Sequence, residues 1–207
     1  MLLCAAAVAG CLVSERRQSA RGLWLAKPLA SAGFLWAAWA WGALGSPFGR
    51  WLLAGLAFCA LGDVLLISKT SRVSLRAGLL AFGAGHAFFA AAFLAHGVSA
   101  WACAGAAALA LTSLALVARW LRPHLGREDR WPVRLYGVVI AGMLATAAGA
   151  VAAGAPPAAG AGAALFALSD LAVAQDRFVA PSFTSTLWGL PAYYTAQISI
   201  AWGAALG

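Results

Sequence analysis

The sequence has 207 residues, of which 63% are hydrophobic and only 10% are charged, with a formal net charge of +8. This composition lies far outside the range of soluble globular proteins and predicts one integral membrane domain over residues 1–207. The basic residues stand in short clusters between apolar segments and form no continuous basic face. Nucleic-acid binding is therefore not expected.

Eight apolar segments follow one another along the chain, and most reach the roughly 20 residues that a helix needs to cross a bilayer. Their bounds are Met1–Val13, Leu23–Leu44, Phe48–Ile67, Leu75–Ala95, Ser99–Leu121, Pro132–Ala153, Pro157–Gln175 and Thr184–Ala205. The first segment is short. No basic residue precedes it and two arginines follow it, so we interpret it as an uncleaved first helix rather than a signal peptide. The predicted fold is all-α, a polytopic membrane helical bundle of about eight transmembrane helices.

The charged residues lie mainly in alternate loops. The fifth loop, from Arg119 to Arg134, is the most charged, and the third contains Lys69, Arg72 and Arg76. The fourth and sixth loops contain no Lys or Arg. By the positive-inside rule the odd-numbered loops are cytoplasmic and both termini face outside. If the protein is bacterial, we expect it in the plasma (inner) membrane.

Asp63 and Asp170 are the only acidic residues within the apolar segments. Inserting such a side chain costs about 2.5–3.5 kcal/mol, which makes both aspartates candidates for a functional site. Each lies near the cytoplasmic end of its helix, and the early residues of the outward-running helices share that depth. The polar residues at this level are Lys27, His86, Tyr136, Tyr193, Tyr194 and Gln197. The predicted topology therefore gathers them into one layer on the cytoplasmic side.

The sequence also contains a weak internal repeat. A shift of 107 residues superposes Asp63 on Asp170 and His86 on Tyr193. It brings helices 1–4 onto helices 5–8 in the same orientation, which indicates a parallel 4+4 duplication. A chance recurrence of aspartate in a chain rich in Ala and Leu is the alternative.

Two carboxylates in a pocket of low dielectric can divide the roles of general acid and general base, because their surroundings push their proton affinities apart. Lys27 matches their depth and is a candidate counter-charge. A purely structural Asp–Lys pair, or a proton or ion relay, is the alternative for the same residues. His86 is a candidate catalytic proton shuttle, or else a hydrogen-bonding residue between helices.

Tyr193, Tyr194 and Gln197 are candidate substrate-binding residues, since Tyr193 and Gln197 share one face of the last helix. Tyr136 is either a hydroxyl of the same pocket or an interfacial anchor. We expect no cofactor and no metal, because the two other histidines, His96 and His124, belong to opposite sides of the membrane.

Several short motifs resemble those of the lysoplasmalogenase family, the YhhN-like multi-pass membrane proteins. The matching motifs are Lys27-Pro28, Gly62-Asp63, Gly83-x-x-His86 with Phe88-Phe89, Tyr136, Ser169-Asp170 and Tyr193-Tyr194-x-x-Gln197. They extend over most of the chain in a specific order. The resemblance implies an eight-helix protein that hydrolyses the vinyl ether bond of 1-alkenyl-glycerophosphocholine or -ethanolamine. The products are a fatty aldehyde and a glycerophospho-alcohol.

This reaction suits two carboxylates. Protonation of the vinyl ether at its β-carbon gives an oxocarbenium ion that water captures. One neutral acid and one anion are therefore required. The sequence does not say which of Asp63 and Asp170 is the acid. The partners expected are a single-chain ether lysophospholipid and membrane lipid. A small proton- or ion-coupled transporter that uses the same aspartates is the alternative function.

Overall fold

The computed structural model describes residues 2–68 and 71–207, so Met1, Lys69 and Thr70 lie outside the described residues. Within that part the chain forms eight α-helices and no strand. They are α1 (Leu2–Arg16), α2 (Ala20–Ala40), α3 (Pro47–Leu65), α4 (Arg72–His96), α5 (Ala100–Leu121), α6 (Arg127–Ala152), α7 (Pro157–Ala174) and α8 (Phe183–Leu206). This confirms the all-α class and the number of helices.

Five of the helical segments are long and apolar enough to cross a membrane, and they correspond to α3 to α7. Their bounds are Pro47–Leu65, Arg72–His96, Ala100–His124, Arg127–Ala152 and Pro157–Val179. Large apolar side chains such as Trp36, Trp101 and Leu109 lie exposed on the outside of the bundle, as expected where lipid replaces water. The chain is therefore a helical membrane bundle.

Serine side chains begin four of the helices. Each serine precedes the first turn and accepts a hydrogen bond from a backbone N–H that has no partner within the helix. The four capping residues are Ser19, Ser46, Ser71 and Ser182. Proline at the first position of α3 and of α7 adds a second start signal, since its missing N–H costs nothing there.

Helix α6 begins at Arg127, five residues before the predicted start at Pro132. Glu128 and Asp129 lie in its first turn, where negative charge stabilises the helix dipole. Arg72 and Arg76 of α4 form ion pairs with Glu128, and Arg76 also approaches Asp129 at 3.5 Å. These ion pairs join the first turn of α6 to α4.

The helix contacts repeat between the two halves of the chain. Helix α1 packs on α2 as α5 packs on α6, and α3 packs on α4 as α7 packs on α8. Contacts also follow the repeat at single residues. Gly55 lies against the Phe89 ring, and the residues 107 positions later, Gly162 and Ala196, also touch. The packing thus supports the parallel 4+4 duplication.

Four connections, those of α1 to α2, α3 to α4, α5 to α6 and α7 to α8, lie at one end of the bundle. We call it the arginine-rich end, because the arginines of the first, third, fifth and seventh loops lie there. Asp63 lies two residues before the last residue of α3. Asp170 lies four residues before the last residue of α7. Asp63 is therefore about half a helical turn, and Asp170 about one turn, inside this end.

Candidate active site

Asp63 is held by two hydroxyl groups. Its side chain is 3% exposed, and its Oδ2 accepts hydrogen bonds from Ser31 of α2 at 2.7 Å and from Tyr193 of α8 at 2.8 Å. Two donors at short distance stabilise the carboxylate anion, which an apolar bundle would otherwise disfavour. The two hydroxyls therefore offset part of the cost of burying a carboxylate at this position.

Asp170 has a different set of partners. Its Oδ2 lies 3.1 Å from Nε2 of His86, and its Oδ1 accepts a hydrogen bond from the Tyr136 hydroxyl at 3.2 Å. The same hydroxyl lies 3.2 Å from His86 Nε2, so the three groups form a triangle. The Asp170 side chain is 13% exposed, and that of His86 is fully buried.

His86 also contacts a sulfur through its second ring nitrogen. Nδ1 is 3.2 Å from the Met143 sulfur, which can only accept a hydrogen bond. In the tautomer that carries its hydrogen on Nδ1, His86 donates toward this sulfur and its Nε2 can accept a hydrogen bond from the Asp170 carboxyl. Nε2 can accept a proton from the Asp170 carboxyl and return it, so Asp170 and His86 can share one mobile proton. The His86 ring is fixed by Phe166, 4.2 Å away between ring centroids.

The two aspartates line one cavity of about 410 Å³, a size that suits a small organic ligand. Tyr136, Tyr193 and Lys27 line it too, whereas His86 lies behind Asp170 and does not. Most of the wall is made by apolar residues of α5, α6, α7 and α8. The cavity is therefore an apolar chamber with two carboxylates at one level.

Cationic side chains surround the cavity at the arginine-rich end. They are Lys27, Arg122, Arg130, Arg134 and Arg177. Arg177 donates to the backbone carbonyls of Leu66 at 2.5 Å and Ser68 at 3.3 Å. The other four form no ion pair with any described acidic residue, in contrast to Arg72 and Arg76. Glu15 and Asp176 also line the cavity, so five cationic side chains face two carboxylates at that end and positive charge is in excess.

The structure brings together most, but not all, of the residues proposed from sequence. Asp63, Asp170, His86, Tyr136 and Tyr193 form the hydrogen-bonded groups described above. Lys27 lines the same cavity, but among the described residues it makes no ion pair with Asp63. Asp63 instead accepts a hydrogen bond from Ser31, which lies one turn after Lys27 on α2.

Tyr194 and Gln197 are buried at the expected depth, but neither lines the cavity. Two contributors to the site, Ser31 and Met143, were not predicted. Ser31 follows Lys27 by four residues, so its shared helix face was a usable signal. The sequence contains no comparable signal for Met143, because methionine is an ordinary residue in a membrane helix. Within the described residues, no three His, Cys, Asp or Glu side chains are grouped so as to hold one metal ion.

A comparison with protein-family models matches residues 22–204 to the YhhN family. The match covers most of the chain and includes every helix except α1. Neither a curated protein nor a solved structure matches the chain.

Proposed function

The chain belongs to the YhhN family, and we propose that it is a membrane hydrolase that cleaves the vinyl ether bond of lysoplasmalogens. The substrate is a 1-alkenyl-glycerophosphocholine or -ethanolamine, and the products are a fatty aldehyde and a glycerophospho-alcohol. The family includes lysoplasmalogenases. The observation that carries the proposal is a pair of carboxylates with different hydrogen-bond partners on the wall of one apolar cavity.

The order of residues along the cavity matches the order of groups along such a lipid. On α6, Arg130 and Arg134 are followed by Tyr136 and then by the apolar Ile140 and Leu144. Ten residues separate Arg134 from Leu144, which is about 15 Å of helix. A phosphate beside the arginines would put the ether bond near the carboxylates and the alkenyl chain among apolar residues.

The partners of the two aspartates favour a division of labour. Asp170 shares a proton with His86 and acts as the acid that protonates the β-carbon of the vinyl ether. Asp63, which accepts two hydrogen bonds, acts as the anion that stabilises the oxocarbenium ion and activates water. His86 returns the proton to Asp170 at the end of each cycle.

The unpaired cations support a phosphate-bearing substrate. Lys27, Arg122, Arg130, Arg134 and Arg177 line the cavity at the arginine-rich end, against two carboxylates there, Glu15 and Asp176. A lipid phosphate would provide the missing negative charge, and Tyr136 and Tyr193 offer hydroxyls at the level of the glycerol. Since arginine-rich loops are retained in the cytoplasm, we assign the active site to the cytoplasmic side of the membrane.

Purified protein in detergent, incubated with a lysoplasmalogen, tests the proposal by the release of fatty aldehyde. We expect release by the wild type and its loss in Asp63→Asn and Asp170→Asn. Asp129→Asn is the matched control, because Asp129 lies on the surface outside the cavity and should leave activity unchanged. Full activity in both site variants would refute the paired-carboxylate mechanism. Cleavage of acyl lysolipids without aldehyde release would refute the substrate.

A further inference from the structure

Three polar atoms are buried near Asp63 without a hydrogen bond. They are the Tyr194 hydroxyl and both the nitrogen and the oxygen of the Gln197 amide. Tyr194 is 2% exposed and Gln197 is fully buried. The Ser31 hydroxyl lies near the Tyr194 hydroxyl and the Cys59 thiol lies near the Gln197 amide, but neither pair has the geometry of a hydrogen bond. Unpaired polar groups are costly in an apolar interior, so buried ones are almost always satisfied by protein or by ordered water.

These groups lie close to the Asp63 carboxylate and do not line the cavity. Tyr194 is next in the chain to Tyr193, whose hydroxyl holds Asp63. Its ring faces Phe34, which follows the second Asp63 donor, Ser31, by three residues on α2. The Gln197 amide lies beside the Cys59 thiol, one turn before Asp63 on α3. Residues of α2, α3 and α8 thus place these polar groups together next to the carboxylate.

We infer that Tyr194 and Gln197 bind ordered water beside Asp63, and that this water is the one consumed in hydrolysis. The second half of the inference rests on the proposed function. A buried water makes about three hydrogen bonds. The Gln197 amide offers two donor hydrogens and an acceptor oxygen, and the Tyr194 hydroxyl can donate and accept. Both recorded bonds to Asp63 go to Oδ2, so its Oδ1 remains to accept a hydrogen bond from water.

The proposed reaction requires a water molecule, and a binding site inside the protein would supply it. Each cleavage consumes one water, whereas a lipid chain in the cavity displaces solvent from the apolar walls. Asp170 gives its proton to the β-carbon, and the water oxygen bonds to the oxocarbenium carbon while its proton passes to Asp63. The hemiacetal then releases the glycerol oxygen, which takes the proton held by Asp63. As the aldehyde forms, the hemiacetal hydroxyl proton, which is the second water proton, passes to Asp170, so that both carboxyls return to their starting protonation states.

A structure of the purified protein at a resolution that shows solvent tests the binding site directly. We expect water within hydrogen-bond distance of the Tyr194 hydroxyl and the Gln197 amide in the wild type, and its loss in Gln197→Met. The inference would be overturned if these groups hydrogen-bonded directly to other protein atoms, or if a cation occupied the position expected for the water. This test does not depend on activity, so it still stands if the wild type releases no aldehyde and the proposed function fails.

Kinetics test the role of the water. Gln197→Met keeps the length of the side chain but removes the amide, so kcat for aldehyde release should fall at least tenfold. Binding of an unreactive 1-alkyl-glycerophosphocholine should be unchanged, because Gln197 does not line the cavity. Thr195→Val is the matched control, since Thr195 is exposed on the same helix. An unchanged kcat in Gln197→Met, or a parallel loss of analogue binding, would contradict delivery of water from this site.

Discussion

His86 and Tyr193 occupy equivalent positions in the two halves of the chain, and each bonds to the aspartate of the other half. Tyr193 of the second half donates to Asp63 of the first, and His86 of the first half lies 3.1 Å from Asp170 of the second. The hydrogen-bond partners are exchanged across the repeat. Neither carboxylate has its full set of partners until both halves have packed together.

Because the hydrogen-bond partners of Asp63 come from both halves of the chain, we predict that these bonds contribute measurably to the stability of the fold. Ser31→Ala and Tyr193→Phe should each lower the free energy of unfolding by about 1–3 kcal/mol, because each leaves a buried carboxylate with one donor fewer. Unfolding in detergent, followed by circular dichroism, measures the loss. Ser199→Ala is the control, since that hydroxyl donates within its own helix to the carbonyl of Thr195.

The two losses should also be coupled. Both hydroxyls donate to the same oxygen of Asp63, so the double variant should not lose the sum of the two single losses. Strict additivity in a double-mutant cycle would mean that the two donors stabilise the fold independently of the carboxylate.

His86 should be needed for proton return rather than only for a hydrogen bond. We expect His86→Gln and His86→Ala both to reduce aldehyde release by about 10²–10⁴-fold, since an amide does not exchange protons near neutral pH. His96→Ala is the control, because His96 is exposed at the far end of α4. Near-normal turnover in His86→Gln would reduce the role of His86 to holding Asp170 in place.

The unpaired cations should select for a phosphate. Lys27→Gln and Arg134→Gln should each weaken binding of a 1-alkyl-glycerophosphocholine by roughly 2–5-fold, because exposed ion pairs contribute up to about 1 kcal/mol. Binding of the neutral 1-alkyl-glycerol, measured by competition, should not change. Arg119→Gln lies outside the cavity and serves as the control. Equal losses for both lipids would show that these residues do not recognise the phosphate.

The apolar end of the cavity should discriminate by chain length. Ala110 of α5 is buried and lines the cavity, so Ala110→Phe should fill space that a long alkenyl chain needs. We expect the ratio of kcat/KM between long and short alkenyl chains to fall about tenfold, as rates for a series of chain lengths would show. Ala108→Phe places the same ring on an exposed position of α5. A similar shift in that variant would locate the chain elsewhere.

The sequence predicted the helices and the depth of the site better than it predicted which side chains face one another. Depth follows from 1.5 Å of rise per residue, so Asp63, Asp170 and Tyr193 were placed at one level correctly. Rotation about the helix axis depends on packing against neighbours. For this reason Tyr194 was assigned to the substrate pocket although it is buried and does not line the cavity. The contact of Met143 with His86 could not be predicted for the same reason, because it depends on how α6 is rotated about its axis.

Arg177 has a consequence for how a lipid reaches the carboxylates. It projects from the turn after α7 and holds the last carbonyls of α3, so it joins the two helices that carry the aspartates at the end where both lie. Spreading α3 from α7 would break these bonds. Helix α5, in contrast, is held mainly by α6, although its side chains form one wall of the cavity. We therefore expect the proposed lipid substrate to enter laterally, from the bilayer past α5, without movement of the two aspartates.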